Sequence, residues 1–186
     1  MKEKNQIPIK QNEIIKIEIA DINHKGQGIA KKDGFVIFVD NAITGDLVEI
    51  EIIQVKKKYG VGKIIKTLNK SSLRNKPECQ YFAKCGGCQI MNMKYQEQLK
   101  LKKQRVVNEL KKIAGIEDAL VHDTLGMKEP YRYRNKGSFP VAQSNGKVAI
   151  GAYEIGTHKM VDLDSCIIQH EKTDKILQVF KIIMRL

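Results

Sequence analysis

The sequence predicts a mainly β chain with α+β character: a small β-barrel followed by an α+β domain organised around four cysteines. Three observations carry this. Short alternating strands broken by turn residues fill the first third, a close cysteine triplet with one remote partner follows, and a long amphipathic pattern separates the triplet from further strand-like runs.

The barrel is read from Glu13 to Lys66. Ile15, Ile17 and Ile19 alternate with Lys16, Glu18 and Ala20, and Val48, Ile50 and Ile52 alternate with Glu49 and Glu51, so each strand has one apolar face. Phe35–Val39 is a continuous apolar run suited to a strand buried on both sides, and Gly26-Gln27-Gly28, Asp33-Gly34 and Thr44-Gly45-Asp46 supply turns. About five strands in about sixty residues predict a small closed barrel of the oligonucleotide-binding kind over residues 8–68. Gly26-Gln27-Gly28 is no dinucleotide fingerprint, because Lys31 stands where a third small residue is needed and Asp33-Gly34 forbids the following helix. The polar stretch Ser71–Glu78, with Pro77 before the first cysteine, reads as a linker into a second domain, 69–186.

Cys79, Cys85 and Cys88 form a C-x5-C-G-G-C run, Cys166 follows far downstream, and the chain has 4 cysteines in all. Four sulfurs with none spare point to one tetrathiolate metal site stapling distant stretches. Two disulfides and four buried free thiols are the competing readings. The start, Met1–Lys16, is polar and Lys-rich with no apolar signal region, so a reducing cytoplasm, where disulfides are rare, is the expectation. Structural zinc usually brings two paired knuckles, whereas a triplet plus a remote fourth ligand suits a [4Fe-4S] cluster, with zinc as the runner-up. Gly86 and Gly87 support wrapping of the chain around such a cluster, since without a Cβ they accept positive φ and their amides can approach the inorganic sulfides.

The 186 residues carry a formal net charge of +12, which points to a polyanionic partner, and no apolar run approaches the ~18 residues of a membrane span. The middle segment, 71–136, is the most basic, with 14 Lys and Arg against 7 Asp and Glu. Lys56, Lys57 and Lys58 are one candidate RNA-binding patch, although a Lys run by itself often serves only solubility. Tyr131-Arg132-Tyr133-Arg134-Asn135-Lys136 reads as a strand, placing Arg132, Arg134 and Lys136 on one face for phosphates and the tyrosines on the other. The competing reading is a half-buried strand with the tyrosines in a core. Tyr95, Leu99, Val106, Leu110 and Ile113 form a helical stripe expected to pack on the second domain, stopped by Gly115. Further strands are expected around Gly137–Val141, Lys147–Tyr153 and Lys159–Leu163, with a Ser144-Asn145-Gly146 turn. His24, His122, His158 and His170 are scattered and read as ordinary surface or hydrogen-bonded residues. The apolar-rich Thr173–Leu186 predicts a helix that needs a partner, as if the chain stopped in mid-domain.

The order of glycine-punctuated barrel, Ser71-Ser72-Leu73-Arg74, Cys79-x5-Cys85-Gly86-Gly87-Cys88, Tyr131 to Lys136 and Asp162-Leu163-Asp164-Ser165-Cys166 resembles the amino-terminal portion of iron–sulfur-containing RNA uracil-5-methyltransferases of the RumA type, which act on 23S ribosomal RNA. The resemblance implies a TRAM RNA-binding domain, a central domain holding a [4Fe-4S] cluster on Cys79, Cys85, Cys88 and Cys166, and a further carboxy-terminal domain that binds S-adenosylmethionine and supplies the catalytic residues. No catalytic or S-adenosylmethionine-binding residue is assigned here, because all four thiols are allotted to metal and uracil C5 needs a thiolate added at C6 before it can be methylated. The chain alone is therefore expected to be inactive. A stand-alone RNA-binding or redox-sensing iron–sulfur protein is the alternative.

Overall fold

The computed structural model describes residues 7–144 and 147–185. The chain divides into two compact units: the first runs to Lys76 and adds Gln89–Lys94, and the second comprises Pro77–Cys88 and the residues from Tyr95 onward.

The first unit is a six-stranded sheet of β1 (Ile14–Glu18), β2 (Asp21–Ile22), β3 (Gly28–Lys32), β4 (Phe35–Val39), β5 (Leu47–Val55) and β6 (Tyr59–Asn69). The order is β1-β5-β6-β4-β3-β2, antiparallel except for the parallel β4–β6 pair. The alternation read from the sequence places Ile15 opposite Ile50 and Ile17 opposite Val48, so the apolar faces of β1 and β5 coincide. Ile19, Ile37, Val39, Val48, Ile50 and Ile52 form the centre of the core. Asp33 (φ 49°) and Gly34 (φ 80°) both take the left-handed conformation between β3 and β4, as a two-residue hairpin whose twist matches its strands requires.

The ladder is open, with β1 and β2 at its edges, rather than the closed barrel expected. Those edges are successive pieces of one run that bends at Ile19 and Ala20. Ile19 N donates to Asp46 O (2.9 Å) and accepts at its carbonyl from Gly45 N (2.8 Å), whereas Ala20 N turns to Ile29 O (2.8 Å). The run divides its pairing at this bend, β1 and Ile19 toward β5 and Ala20 with β2 toward β3, and neither piece pairs along its length on both edges.

The expected linker is also shorter than the sequence suggested. Asp46 is fully buried, with 0% exposure, and its carboxylate draws Ser71 and Arg74 into the first unit. Oδ1 accepts from Ser71 N (3.0 Å) and Arg74 Nε (2.7 Å), and Oδ2 from Ile43 N (2.8 Å) and Arg74 Nη2 (2.6 Å). Arg74 Nη2 also donates to Asn41 O (2.8 Å), which Asn92 Nδ2 reaches as well (3.1 Å).

The second unit holds α1 (Tyr95–Lys112), an antiparallel sheet β7-β8-β9 (Val141–Ser144, Lys147–Tyr153, Met160–Asp162) and α2 (Glu171–Arg185). In the predicted Ser144-Asn145-Gly146 turn, Asn145 and Gly146 lie outside the described residues. Ile150, Val161, Leu163 and Leu177 form the core, flanked by Tyr81, Phe139, Val148 and Ala152. Helix α1 fully buries none of its residues, contrary to the expected packing of its whole stripe. A returning segment covers its first turns, where Thr124 Oγ1 donates to Leu99 O (3.0 Å) and Met127 N to the Tyr95 hydroxyl (2.8 Å), whereas Val106 and Ile113 face water. Gly115 takes φ 68° beyond the helix, where Ile116 N reaches back to Leu110 O (3.0 Å).

Helix α2 turns an unexpected face inward. Leu177 and Lys181 are buried, while Ile176, Val179, Phe180, Ile182 and Ile183 are exposed. Lys181, only 2% exposed, directs its ammonium to Asp162 Oδ1 (2.8 Å) and Asp164 Oδ1 (3.1 Å). A long aliphatic stem crossing the core to a pair of carboxylates accounts for a lysine on this face.

Candidate metal centre and nucleic-acid interface

All four cysteines lie in the second unit, and all four are free and half-buried. The triplet is set by a turn in which Tyr81 O accepts from Lys84 N (3.0 Å) and Cys85 N (2.7 Å). Cys85 then bridges to Glu154 beyond β8, and Gly86 N donates to Tyr153 O (3.0 Å). A Cβ at Gly86 would sit 3.2 Å from that same carbonyl, so the glycine permits close docking of the loop on the strand end. Neither Gly86 nor Gly87 uses the positive φ open to it, and Gly87 aims its amide at Cys85 Sγ (3.4 Å).

The thiols influence one another. Burial pushes the Cys88 thiol up to about 11, with Cys166, Cys85 and Cys79 adding to the rise and Arg134 opposing it. Burial likewise raises Cys85; the Gly87 amide opposes this, while Cys166 and Cys79 reinforce it. The triplet and the remote Cys166 therefore share one neighbourhood. Among the described residues, no three His, Cys, Asp or Glu side chains close on a point as a single metal ion would require.

Cys166 is held on both flanks. Upstream, Asp164 N donates to the Tyr81 hydroxyl (3.1 Å), which donates to Asp164 Oδ2 (3.3 Å), tying the remote segment to the triplet turn. Downstream, Cys166 N donates to Asp174 Oδ1 (2.8 Å), and Arg132 Nη1 donates to Asp174 Oδ2 (2.5 Å), Cys166 O (3.2 Å) and Gln169 O (3.3 Å). Tyr131 donates to Glu78 Oε1 (3.0 Å), and burial followed by that carboxylate raises its phenol above the ordinary range.

The expected Tyr131–Lys136 strand with alternating faces does not form. Arg132 takes φ 56°, a left-handed turn that destroys the alternation, and only Arg134 makes an isolated bridge, to Gln169. Arg132 is thereby drawn into the Cys166 loop, while Arg134 and Lys136 are exposed. In the first unit, Lys56, Lys57 and Lys58 form an exposed hairpin tip closed by Lys56 N to Tyr59 O (2.8 Å), beside the edge-to-face Phe38–Tyr59 ring pair (5.4 Å). The sequence reading missed Tyr81, Asp174 and Lys181. A signal existed for Lys181, the single charge in the apolar run from Ile176 to Met184, and for Asp162 and Asp164, whose spacing of two residues puts both on one side of an extended run.

Residues 8–65 match the TRAM domain family, so the first unit carries a TRAM domain. Beyond that domain, nearly the whole chain is homologous to RNA methyltransferases. It is 46% identical over 96% of its length to a Clostridium tetani protein described as an uncharacterized RNA methyltransferase. It is 37% identical over 98% to one from Halalkalibacterium halodurans and 38% identical over 94% to one from Bacillus cereus, both described in the same words. The chain spans only 38% of the length of the Clostridium relative and 40% of the Halalkalibacterium one. Its fold is shared with the crystal structure of Pyrococcus abyssi tRNA (uracil-54, C5)-methyltransferase, at TM-score 0.55 and 23% identity over 89% of this chain and 36% of that one. Among the described residues no helix is long and apolar enough to cross a membrane.

Proposed function

We propose that this chain is the RNA-recognition and [4Fe-4S]-bearing part of an S-adenosylmethionine-dependent RNA (uracil-5-)-methyltransferase that acts on 23S ribosomal RNA, with methyl transfer residing in a portion the chain does not span. The observation that carries the reading is homology to RNA methyltransferases along nearly the whole length, TRAM domain included. The cluster assignment is supported by the chemistry of the donor set, four free and half-buried thiols that influence one another, with soft sulfur ligands of the kind an iron–sulfur centre takes. Cys79, Cys85, Cys88 and Cys166 would hold it, and when bound it would supply thiolate bonds cross-linking the triplet loop to the remote segment. The chain's own contribution is positioning: Tyr81 and Asp164 join the two cysteine segments, and the Lys56–Lys58 tip with Arg134 and Lys136 supplies exposed cations for phosphates.

The test is anaerobic purification of the full chain with iron and sulfide analysis, followed by binding of 23S ribosomal RNA fragments and transfer RNA across a salt series. The expected result is a brown protein whose RNA affinity falls steeply with salt, prefers the ribosomal fragments and is accompanied by no methyl transfer from S-adenosylmethionine. A colourless, iron-free preparation removes the cluster assignment. Salt-independent or absent RNA binding removes the recognition role, and a preference for transfer RNA removes the substrate assignment.

A further inference from the structure

We infer that Arg132 and Asp174 are positioning residues that set Cys166 as the fourth ligand before any metal arrives, an inference that rests on the iron–sulfur reading above. The triplet is local and can be arranged by its own turn, but Cys166 must be brought in from far along the chain. The entropy of closing so long a loop has to be met by the fold if the metal is not to supply it. Both backbone polar groups of Cys166 are engaged accordingly: its N–H donates to Asp174 Oδ1 (2.8 Å), and its carbonyl accepts from Arg132 Nη1 (3.2 Å) and Gln169 N (3.0 Å). Arg132 and Asp174 are themselves locked by an ion pair (2.5 Å) and stand outside the cysteine motif, one before the sheet and one in the first turn of α2.

Arg132 does this from a strained backbone. Its φ of 56° lies in the left-handed region that residues with a side chain rarely adopt. Strain of this kind persists where surrounding interactions over-determine it and collects at functional sites. Here the left-handed turn accompanies two anchors: Arg132 N donates to Ile167 O (2.9 Å), and the guanidinium reaches the Cys166 and Gln169 carbonyls and Asp174. Residues outside the ligand set that orient ligands commonly change metal affinity by about 10- to 100-fold.

The test compares the full chain with Arg132→Asn, Asp174→Ala and Asp174→Asn after anaerobic reconstitution with ferrous iron and sulfide. The readouts are iron and sulfide content, the electron paramagnetic resonance spectrum after reduction, the rate of bleaching by a ferrous chelator, and thermal melting of the metal-free chains. Asn tolerates left-handed φ, so Arg132→Asn removes the guanidinium while sparing the turn. Asp174→Asn keeps an oxygen for the Cys166 amide but loses the charge. The expected result is bleaching about 10- to 100-fold faster for Arg132→Asn and Asp174→Ala, with an altered resonance line shape. Asp174→Asn is expected to be intermediate, a graded spectroscopic response that a merely structural ion pair would not give. If Asp174→Ala fails to melt cooperatively, the two Asn variants decide. Variants that load, bleach and resonate like the unsubstituted chain overturn this inference and leave the iron–sulfur reading standing; an unsubstituted chain that takes up no iron and sulfide overturns both.

Discussion

Asp46→Asn offers a sharp test of the first unit, because it changes almost no volume and reverses half of the hydrogen-bonding character of one buried group. The carboxylate accepts four hydrogen bonds, two at each oxygen, and all four donors are N–H groups. An amide in its place presents an NH2 to at least one of those pairs, so two bonds become donor–donor contacts whichever way it is turned, and the Arg74 guanidinium loses its counter-charge. Breaking a buried pair by removing one partner costs about 3–5 kcal/mol, against a total stability of about 5–15 kcal/mol for a domain. The local readout is amide exchange at Ile50 and Ile52, both fully buried in the core strand β5. Exchange through unfolding should accelerate by about two to four powers of ten. An acceleration of less than about fivefold, equivalent to about 1 kcal/mol, would refute the claim that this carboxylate holds Ser71–Arg74 to the sheet. The half-buried surface pair Lys32–Glu13 (2.7 Å) is the control, since its effect should fade in 1 M salt while that of Asp46 should not.

Gly151→Ala should destabilise the second unit by about 2–4 kcal/mol, because the new Cβ would lie 2.0 Å from the Val161 carbonyl oxygen and 2.8 Å from Leu163 N, and backbone must move. Gly34→Ala, with nothing within 4 Å, should cost only the conformational penalty of its φ of 80°, about 1 kcal/mol; equal effects in urea titrations would contradict this. The Glu13 carboxyl lies below its ordinary range, chiefly through its hydrogen bond from Lys32 and then that from Lys10 N. A lowered folded value contributes stability above the unfolded-chain pKa that is lost as pH falls through the folded one. Lys32→Met should raise the Glu13 midpoint in an NMR titration, and an unmoved midpoint would refute the assignment. Replacing Lys56, Lys57 and Lys58 together with Ala should lower the slope of log affinity for single-stranded RNA against log salt by about 2; an unchanged slope would clear this hairpin of phosphate contacts.

Much of the first unit was legible because its strands obey a period of two and its turns use residues that tolerate positive φ. Ile15, Ile17, Val48 and Ile50 face as their alternation requires, and Asp33-Gly34 forms the hairpin. The open ladder was not legible: a two-residue β2 carries no periodic signal, and the bend at Ile19 is visible only once its hydrogen bonds have partners. The four cysteines stand out in the sequence by their spacing, whereas the supports of Cys166 do not, since Arg132 and Asp174 meet 42 residues apart through a backbone conformation that alternation rules cannot anticipate. Helix α2 misled for a related reason. Apolar content predicts a helix, but two carboxylates on a neighbouring strand and loop reward Lys181 for facing inward and leave the apolar stripe outside.

The reach of Asp46 has a practical corollary for anyone excising the small RNA-associated module. The TRAM family match ends at residue 65, yet the guanidinium that neutralises this carboxylate comes from Arg74, and a rung pairing Arg74 with Met93 comes from beyond the cysteine triplet. A fragment trimmed at the family boundary would leave a naked anion in its interior. The self-sufficient folding piece therefore has to be cut longer than the homology suggests and must retain the Gln89–Lys94 return.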